Sequence, residues 1–196
     1  NLSNGLMFPT VEAFGRKLDR KYAETRAKWE RLYEVTQTKG TGEAHPYLSP
    51  NDEFANFEIW DKSNLDGSVP KTKDMLEFEY ARAAFRNGLA LEEKLGTNPY
   101  KMGLIGSSDA HTGLTAMEED NFFGKMVTAE PNPTRWEHPF IQNAKSGVTI
   151  MGWETQAAGY AAVWAQENTR ESLFDAMQRR ETYATTGPRM VVRFFG

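Results

Sequence analysis

Asp109 and His111 follow a short apolar segment and a run of small residues, in the sequence Met102-Gly-Leu-Ile-Gly-Ser-Ser-Asp-Ala-His111. In an extended chain, residues two positions apart project to the same side, so the pair could present a carboxylate oxygen and an imidazole nitrogen to one divalent metal ion. Small residues at a strand end also let a substrate approach the backbone. The spacing therefore predicts a metal site. The structural alternative is that Asp109 caps the following segment and that His111 packs against the protein.

Glu43 and His45 repeat this spacing of an acid and an imidazole. Pro46 disfavours helix at His45, so an extended loop could carry both side chains toward Asp109 and His111. The alternative is a surface histidine beside a solvated acid. The repeated pattern makes Glu43 and His45 the second pair of candidate metal ligands.

Lys101 and Arg189 are the candidates for binding an anionic substrate oxygen near the strand ends. Arginine would do so as a planar fork and lysine as a point charge. The alternative is that each cation pairs with a local carboxylate. Nucleophilic catalysis is not indicated, because the chain has no cysteine and no Gly-x-Ser-x-Gly sequence.

The elements that position these residues follow from the hydrophobic spacing. Apolar residues three and four positions apart predict an amphipathic helix over 10–30, and alternation predicts a strand at Leu32–Gln37. A second amphipathic helix is expected from Met75, with Gly96 as its terminator. The strand at Met102–Ser107 then completes a β-α-β succession.

The remaining segments carry weaker signals. Proline and glycine make 39–68 loop-rich and break up 121–152. Further short elements are predicted as a helix at Pro50–Trp60, a buried strand at Gly159–Ala165, a helix behind the capping-box spacing Asn168-Thr-Arg-Glu171, and a final strand at Met190–Phe195.

Length and composition bound the function classes. The 196 residues, 39% of them apolar, suit one domain with a sizeable core. A formal net charge of −4 argues against a nucleic-acid surface. The sequence has no stretch of the roughly 20 apolar residues needed to cross a bilayer, so we expect no membrane partner. The lack of cysteine fits cytosol or periplasm, and localisation stays open, with periplasm or export an option for the full-length protein.

The sequence Gly106-Ser-Ser-Asp-Ala-His111 resembles the last metal-binding motif of the polymerase and histidinol phosphatase (PHP) superfamily of metal-dependent phosphoesterases. A closer resemblance, to the C-terminal half of the large PHP-like proteins of domain-of-unknown-function family 3604, covers nearly the whole chain. The similar segments are Asn1-Leu-Ser-Asn-Gly-Leu-Met-Phe8, Lys39-Gly-Thr-Gly-Glu-Ala-His-Pro-Tyr-Leu-Ser-Pro-Asn-Asp-Glu-Phe54, Asn98-Pro-Tyr-Lys101, Glu119-Asp-Asn-Phe-Phe-Gly-Lys125 and Arg179-Arg-Glu-Thr-Tyr-Ala-Thr-Thr-Gly-Pro-Arg189.

This resemblance implies a fold and a division of the protein. The fold expected is α/β, the C-terminal part of a distorted PHP-like (β/α)7 barrel with long amphipathic helices and loop-rich insertions. PHP domains open with a His-x-His pair that this sequence lacks, and its only histidines are His45, His111 and His138. We therefore expect 1–196 to form a single domain, the C-terminal portion of a larger barrel whose N-terminal motifs are absent.

The function implied is that of a fragment of a metal-dependent hydrolase of the phosphoesterase type. The resemblance implies metal roles for Asp109 and His111, and for Glu43 and His45, with zinc, manganese or iron as the divalent ion. The expected partners are the missing N-terminal part of the same protein, a small anionic substrate and another copy of the chain, and the chain alone is expected to be inactive. Two alternatives stay open: a non-catalytic binding or structural domain on the same fold, and a self-contained mononuclear metal site built from those four residues.

Overall fold

The computed structural model describes residues 3–113, 119–121, 123–126, 130–155 and 159–195. The helices in this part of the chain are α1 (Arg20–Trp29), α2 (Lys73–Leu76), α3 (Ala81–Leu95) and α4 (Arg170–Arg179). Its strands are β1 (Glu12–Ala13), β2 (Arg16–Lys17), β3 (Leu32–Gln37), β4 (Gly40–Thr41), β5 (Gly103–Gly106), β6 (Pro139–Gln142), β7 (Thr149–Met151), β8 (Ala161–Val163) and β9 (Thr182–Ala184). Short 3-10 turns lie at Glu119–Asn121, Arg135–Glu137 and Gly152–Glu154.

The central sheet has the strand order β4-β3-β5. Strand β3 runs parallel to β5 and antiparallel to β4, and α3 lies between β3 and β5 in the chain. The predicted β-α-β succession is therefore confirmed, and the predicted strand at Met102–Ser107 is present as β5. Because β3 and β5 are parallel, their carboxyl ends lie at the same edge of the sheet.

The backbone around β8 and β9 passes directly against β5. A Cβ atom added at Gly106 would lie 2.9 Å from the carbonyl oxygens of both Tyr160 and Thr185. The N–H of Gly159 donates to the carbonyl of Ser107 at 3.3 Å. Only glycine allows an approach this close, so Gly106 sets the packing of the β8–β9 pair against the sheet.

The predicted (β/α)7 barrel is wrong. The described strands form one three-stranded and three two-stranded sheets, and none of them closes into a barrel. The pairs β1–β2 and β6–β7 are antiparallel hairpins, β8–β9 is an antiparallel pair joined through α4, and β3–β5 is the parallel pair. A β/α barrel requires a continuous ladder of parallel strands, and antiparallel pairs of strands two to four residues long do not supply one.

The predicted helix over 10–30 is too long at its start. Strands β1 and β2 occupy that region and are joined by Phe14 (φ 54°) and Gly15 (φ 76°). Two successive residues in the left-handed region make a hairpin turn and interrupt a right-handed helix. Helix α1 begins only after Asp19, whose side chain accepts from the N–H of Tyr22 at 2.8 Å.

The second predicted helix is divided into α2 and α3. Tyr80, which is fully buried, has extended backbone angles and precedes the first residue of α3. Gly96 ends α3 in the left-handed conformation (φ 73°), as its position predicts. The break comes where the chain turns inward to bury Glu79 and Tyr80, a tertiary effect that apolar spacing does not encode.

Other segment predictions met with mixed outcomes. The described structure has turns and no helix at Pro50–Trp60, and no strand at Met190–Phe195. The region 121–152 holds the hairpin β6–β7 beside irregular backbone. The helix behind Asn168-Thr-Arg-Glu171 is confirmed as α4, although Thr169 is the capping residue.

A small apolar core lies between α1, α3 and the start of β5. Phe8 is fully buried at its centre, with the rings of Tyr33 and Tyr100 edge-on at 5.1 and 5.3 Å. The other buried members of this cluster are Leu18, Ala84, Leu91 and Met102. None of the described helices has the length and apolar character required to cross a bilayer.

Candidate functional site

The site is built at the edge where β3 and β5 both end. Thr36 pairs with Gly106 across the two strands, and the N–H of Ser107 donates to the carbonyl of Thr36 at 3.0 Å. The chain leaving β3 reaches Lys39 within two residues, and the chain leaving β5 reaches Asp109 within three. Parallel pairing thus brings two loops that are distant in sequence to one place, the edge at which open α/β sheets bind ligands.

Asp109 and His111 lie next to each other on the turn after β5. Asp109 has a φ of 50°, in the left-handed region that aspartate tolerates better than most residues. The Nδ1 atom of His111 lies 2.8 Å from the carbonyl oxygen of Asp109 and 3.8 Å from its Oδ1. The predicted position at the carboxyl end of β5 is confirmed, but a left-handed turn, and not an extended segment, brings the two side chains together.

Two lysine side chains converge on the carboxylate of Asp109. The Nζ atoms of Lys39 and Lys125 both contact its Oδ2, that of Lys125 at 2.6 Å. The side chains of Lys39 and Lys125 are only 10% and 4% exposed. Lys125 also donates to the carbonyl of Asp109 and lies 2.9 Å from Nδ1 of His111, while the N–H of His111 donates to the carbonyl of Lys125 at 2.7 Å. Asp109 is therefore the centre of a cluster that joins three segments of the chain.

Burial and mutual repulsion shift the titration of this cluster. Burial, reinforced by the neighbouring ammonium of Lys125, lowers the pKa of Lys39 to about 7. Burial also lowers the pKa of Lys125, against the opposing effect of the Glu34 carboxylate. The positive charge of Lys125 lowers the pKa of His111 from its ordinary value. A neutral imidazole is therefore favoured at neutral pH, which leaves one ring nitrogen with a free lone pair.

Glu34 supplies a second carboxylate at the same edge. Its Oε1 accepts from the hydroxyl of Ser107, and its Oε2 accepts from the side-chain amide of Gln37 at 3.3 Å. A cavity of about 380 Å³ opens beside it, with Glu34, Lys39, Tyr33 and further residues of the β3–β4 region in its wall. This volume is within the range of small-molecule pockets. A larger depression of about 940 Å³ lies along α4 and contains none of the candidate residues.

Glu43 has partners away from the cluster. Its Oε1 accepts two hydrogen bonds from Arg82, at 2.7 and 3.1 Å, and Arg82 also binds Asp52 at 2.5 Å. Glu43 and Arg82 are each about half exposed. This arrangement is a surface ion-pair network.

His45 is buried and oriented by two hydrogen bonds. Its Nε2 lies 3.0 Å from Oδ2 of Asp61, and its Nδ1 accepts from the N–H of Tyr47 at 3.1 Å. Within the described ranges, no group of three His, Asp or Glu side chains is placed to hold a metal ion. The structure therefore does not bring Glu43 and His45 together with Asp109 and His111 as the four ligands of one site.

Lys101 and Arg189 lie at different ends of the central sheet. Lys101 is exposed and precedes β5, so it is at the amino end of the strand. Arg189 is exposed, and its guanidinium lies over the ring of Tyr160 at 5.3 Å. Tyr160 follows Gly159, which is hydrogen-bonded to Ser107 at the carboxyl end. Lys101 is thus at the end of β5 opposite to Asp109, and Arg189 contacts a residue next to the backbone that meets Ser107.

Sequence reasoning missed Lys39 and Lys125. Lys39 could have been found, because it follows the first of two strands predicted to be parallel, and residues after such strands meet at one edge. Lys125 ends the segment 119–125 that carries part of the family resemblance, but nothing in that segment indicates a role for the lysine itself. It reaches Asp109 through backbone contact with His111, which only the three-dimensional arrangement reveals.

The donor atoms of Asp109 and His111 fit two ligands of a divalent metal ion. A carboxylate oxygen and an imidazole nitrogen suit zinc, manganese or iron. The two lysines occupy Oδ2, whereas Oδ1 is the oxygen nearer to His111. When Nδ1–H donates to the carbonyl of Asp109, Nε2 keeps its lone pair, the tautomer that metal-binding histidines use. The contact between Lys125 and Nδ1 requires the other tautomer, so a metal ion would select between them.

Comparison with known proteins identifies the family of the chain but does not identify a reaction. No curated protein and no solved structure shows significant similarity to the chain. The family model described as "Protein of unknown function (DUF3604)" matches residues 1–196. The match spans every segment of the site, including the turn after β5 and both lysines. The chain therefore belongs to this family, DUF3604.

Proposed function

We propose that this chain supplies Asp109 and His111 as metal ligands to a metal-dependent hydrolase of the phosphoesterase type, related to the PHP superfamily. One observation supports the proposal above the others. A left-handed turn at Asp109 holds its Oδ1 and the imidazole of His111 side by side at the carboxyl end of β5. Left-handed non-glycine residues cost free energy and cluster at functional sites.

Each residue of the proposed site would have its own role. When bound, a divalent metal ion lowers the pKa of a water molecule and neutralises charge on a phosphoryl oxygen. His111 would bind through Nε2, since its Nδ1 lies against the carbonyl of Asp109. Asp109 would bind through Oδ1, and Lys39 and Lys125 would hold its other oxygen. Two ligands are too few for a catalytic site, so the proposal requires further ligands from outside the described residues.

Calorimetric titration with Zn²⁺ and Mn²⁺ tests the proposal. Asp109→Asn and His111→Gln should each weaken metal binding by about tenfold or more. The matched control is His138→Gln, because His138 is exposed and bonded to Thr134, away from β5. Equal metal affinity in all three variants and in the unaltered chain would contradict the proposal. Hydrolysis of a chromogenic phosphomonoester tests the reaction type, and it is measured with the full-length protein because this chain alone is expected to be inactive.

Glu43→Gln and His45→Gln test the second predicted pair. Both residues already have partners, in Arg82 and Asp61. Unchanged metal affinity would restrict the site to the turn after β5. A loss equal to that of Asp109→Asn would extend the site to the loop after β4.

A non-catalytic binding domain is the second candidate function. It is favoured by the ammonium groups of Lys39 and Lys125, which already neutralise Oδ2 of Asp109. This candidate predicts ligand binding without turnover and without a requirement for metal.

A further inference from the structure

Two buried ammonium groups share one carboxylate oxygen at the end of β3 and β5. Lys39 and Lys125 come from loops far apart in sequence, and both contact Oδ2 of Asp109. A buried charge is costly unless it is paired and hydrogen-bonded. Asp109 and the nearby carboxylate of Glu34 together provide that pairing for the two lysines.

The two lysines differ in the number of hydrogen-bond acceptors near their ammonium groups. Lys125 has the carbonyl and Oδ2 of Asp109 and Nδ1 of His111 within reach. For Lys39, the acceptor found among the described residues is Oδ2 of Asp109. An ammonium group carries three donors, so Lys39 keeps donors that a ligand could use.

The position of Lys39 gives those donors access to a ligand. Lys39 lines the cavity of about 380 Å³, together with Glu34 and Tyr33. The charges of Lys39 and Lys125 are balanced by those of Asp109 and Glu34. A phosphoryl oxygen that enters the cavity therefore competes with these two carboxylates for the donors of Lys39.

We propose that Lys39, positioned by Asp109 and Lys125, binds the phosphoryl group of a ligand in this cavity. The role of that phosphoryl group as the reacting group rests on the proposed function, but its binding does not require a metal ion. A phosphoryl oxygen in the cavity accepts a hydrogen bond from Nζ of Lys39, and Lys125 keeps its contacts with Asp109 and His111. Lys39 contacts the ligand directly, whereas Lys125 acts from the far side of the carboxylate.

Inorganic phosphate is the probe, titrated into chelator-treated protein at constant ionic strength and at about pH 6, where Lys39, with its pKa of about 7, carries its charge. Calorimetry and the rise in melting temperature both report the binding. We expect saturable binding that Lys39→Met weakens by about 10- to 100-fold. Lys125→Met should weaken it less. Lys101→Met is the matched control, since Lys101 lies at the opposite end of β5, and it should leave phosphate affinity unchanged.

Two further variants keep the test decisive. Lys39→Arg retains the charge, so it should bind phosphate more tightly than Lys39→Met even if both variants are less stable. Asp109→Asn removes the competing carboxylate, so it should bind phosphate more tightly than the unaltered chain while losing the metal ion. Asp109→Asn should thus raise the affinity for phosphate and lower the affinity for the metal ion. The two measurements therefore separate failure of the oxyanion site from failure of the metal site. No phosphate binding by the unaltered chain, or equal affinity in Lys39→Met, overturns the inference.

Discussion

The buried ion pair between Lys71 and Glu79 supports one wall of the cavity. Their side chains are 1% and 0% exposed, and Nζ lies 2.6 Å from Oε2. The other carboxylate oxygen accepts from the hydroxyl of Ser3 at 2.9 Å, and the carbonyl of Glu79 accepts from the hydroxyl of Tyr33 at 3.4 Å. Ser3 and Tyr33 both line the cavity. Loss of the pair should therefore loosen the wall as well as destabilise the fold.

Lys71→Met leaves the Glu79 carboxylate buried without its cation. Removal of one partner from a buried pair costs about 3–5 kcal/mol, a large fraction of the ~5–15 kcal/mol that stabilises an ordinary domain. For a chain of this length, the loss corresponds to a fall in melting temperature of roughly 6–20 °C. Urea unfolding followed by circular dichroism measures the free energy directly.

Two companion variants show whether burial is the cause. Lys62→Met removes a half-exposed lysine that contacts Glu154, and we expect it to cost about 1 kcal/mol or less. The double variant Lys71→Met/Glu79→Gln leaves no unpaired charge and should recover at least half of the loss. The reasoning is refuted if Lys71→Met costs no more than Lys62→Met, or if the double variant is as unstable as the single one.

Three other predictions concern packing, pH and the surface. An alanine Cβ at Gly159 would overlap the carbonyl oxygen of Thr185, so Gly159→Ala should lower the free energy of unfolding by about 2 kcal/mol or more, measured in urea. Lys39 has a pKa of about 7 in the folded chain and an ordinary value of 10.5. Between these two pH values the unfolded chain binds more protons than the folded chain, so the free energy of unfolding rises with pH. Urea unfolding at about pH 7.5 and 9.5 should show this rise, and Lys39→Met should reduce it. Arg82→Gln breaks a half-exposed pair with Glu43 and should change the free energy of unfolding by less than about 1 kcal/mol.

The parts of the fold that sequence predicts are those governed by local signals. Apolar spacing and the terminator Gly96 locate α3, and a short apolar segment locates β5. The β-α-β order then follows from chain sequence and the length of the connection. Parallel pairing of β3 with β5, and with it the position of Asp109, could be predicted on this basis.

The parts of the fold that the sequence predicts wrongly depend on backbone conformations or tertiary contacts. The spacing of apolar residues does not indicate these. Phe14 adopts a left-handed conformation that an aromatic residue seldom takes, and so the apolar spacing around it suggests a helix where a hairpin forms. Tyr80 breaks the second helix because its burial outweighs helical propensity. The barrel was inferred from resemblance, and the short antiparallel strand pairs of the described chain do not form one.

The candidate site also contains residues that the sequence predicts and a residue that it does not. Asp109 and His111 are two positions apart in sequence and lie close together in space, so a motif could identify them. Lys125 reaches the same carboxylate from 16 positions along the chain. No local pattern marks such a residue, because its role arises from tertiary packing.

The imidazole nitrogen spectrum of His111 tests the central claim most directly. The chain has three histidines, so the side-chain resonances can be assigned by single substitution. On addition of Zn²⁺, a diamagnetic ion, we predict a large shift of Nε2 of His111 while Nδ1 stays protonated, and loss of this shift in Asp109→Asn. Shifts confined to His45 or His138, or a His111 spectrum that Zn²⁺ leaves unchanged, would contradict the assignment of Asp109 and His111 as metal ligands.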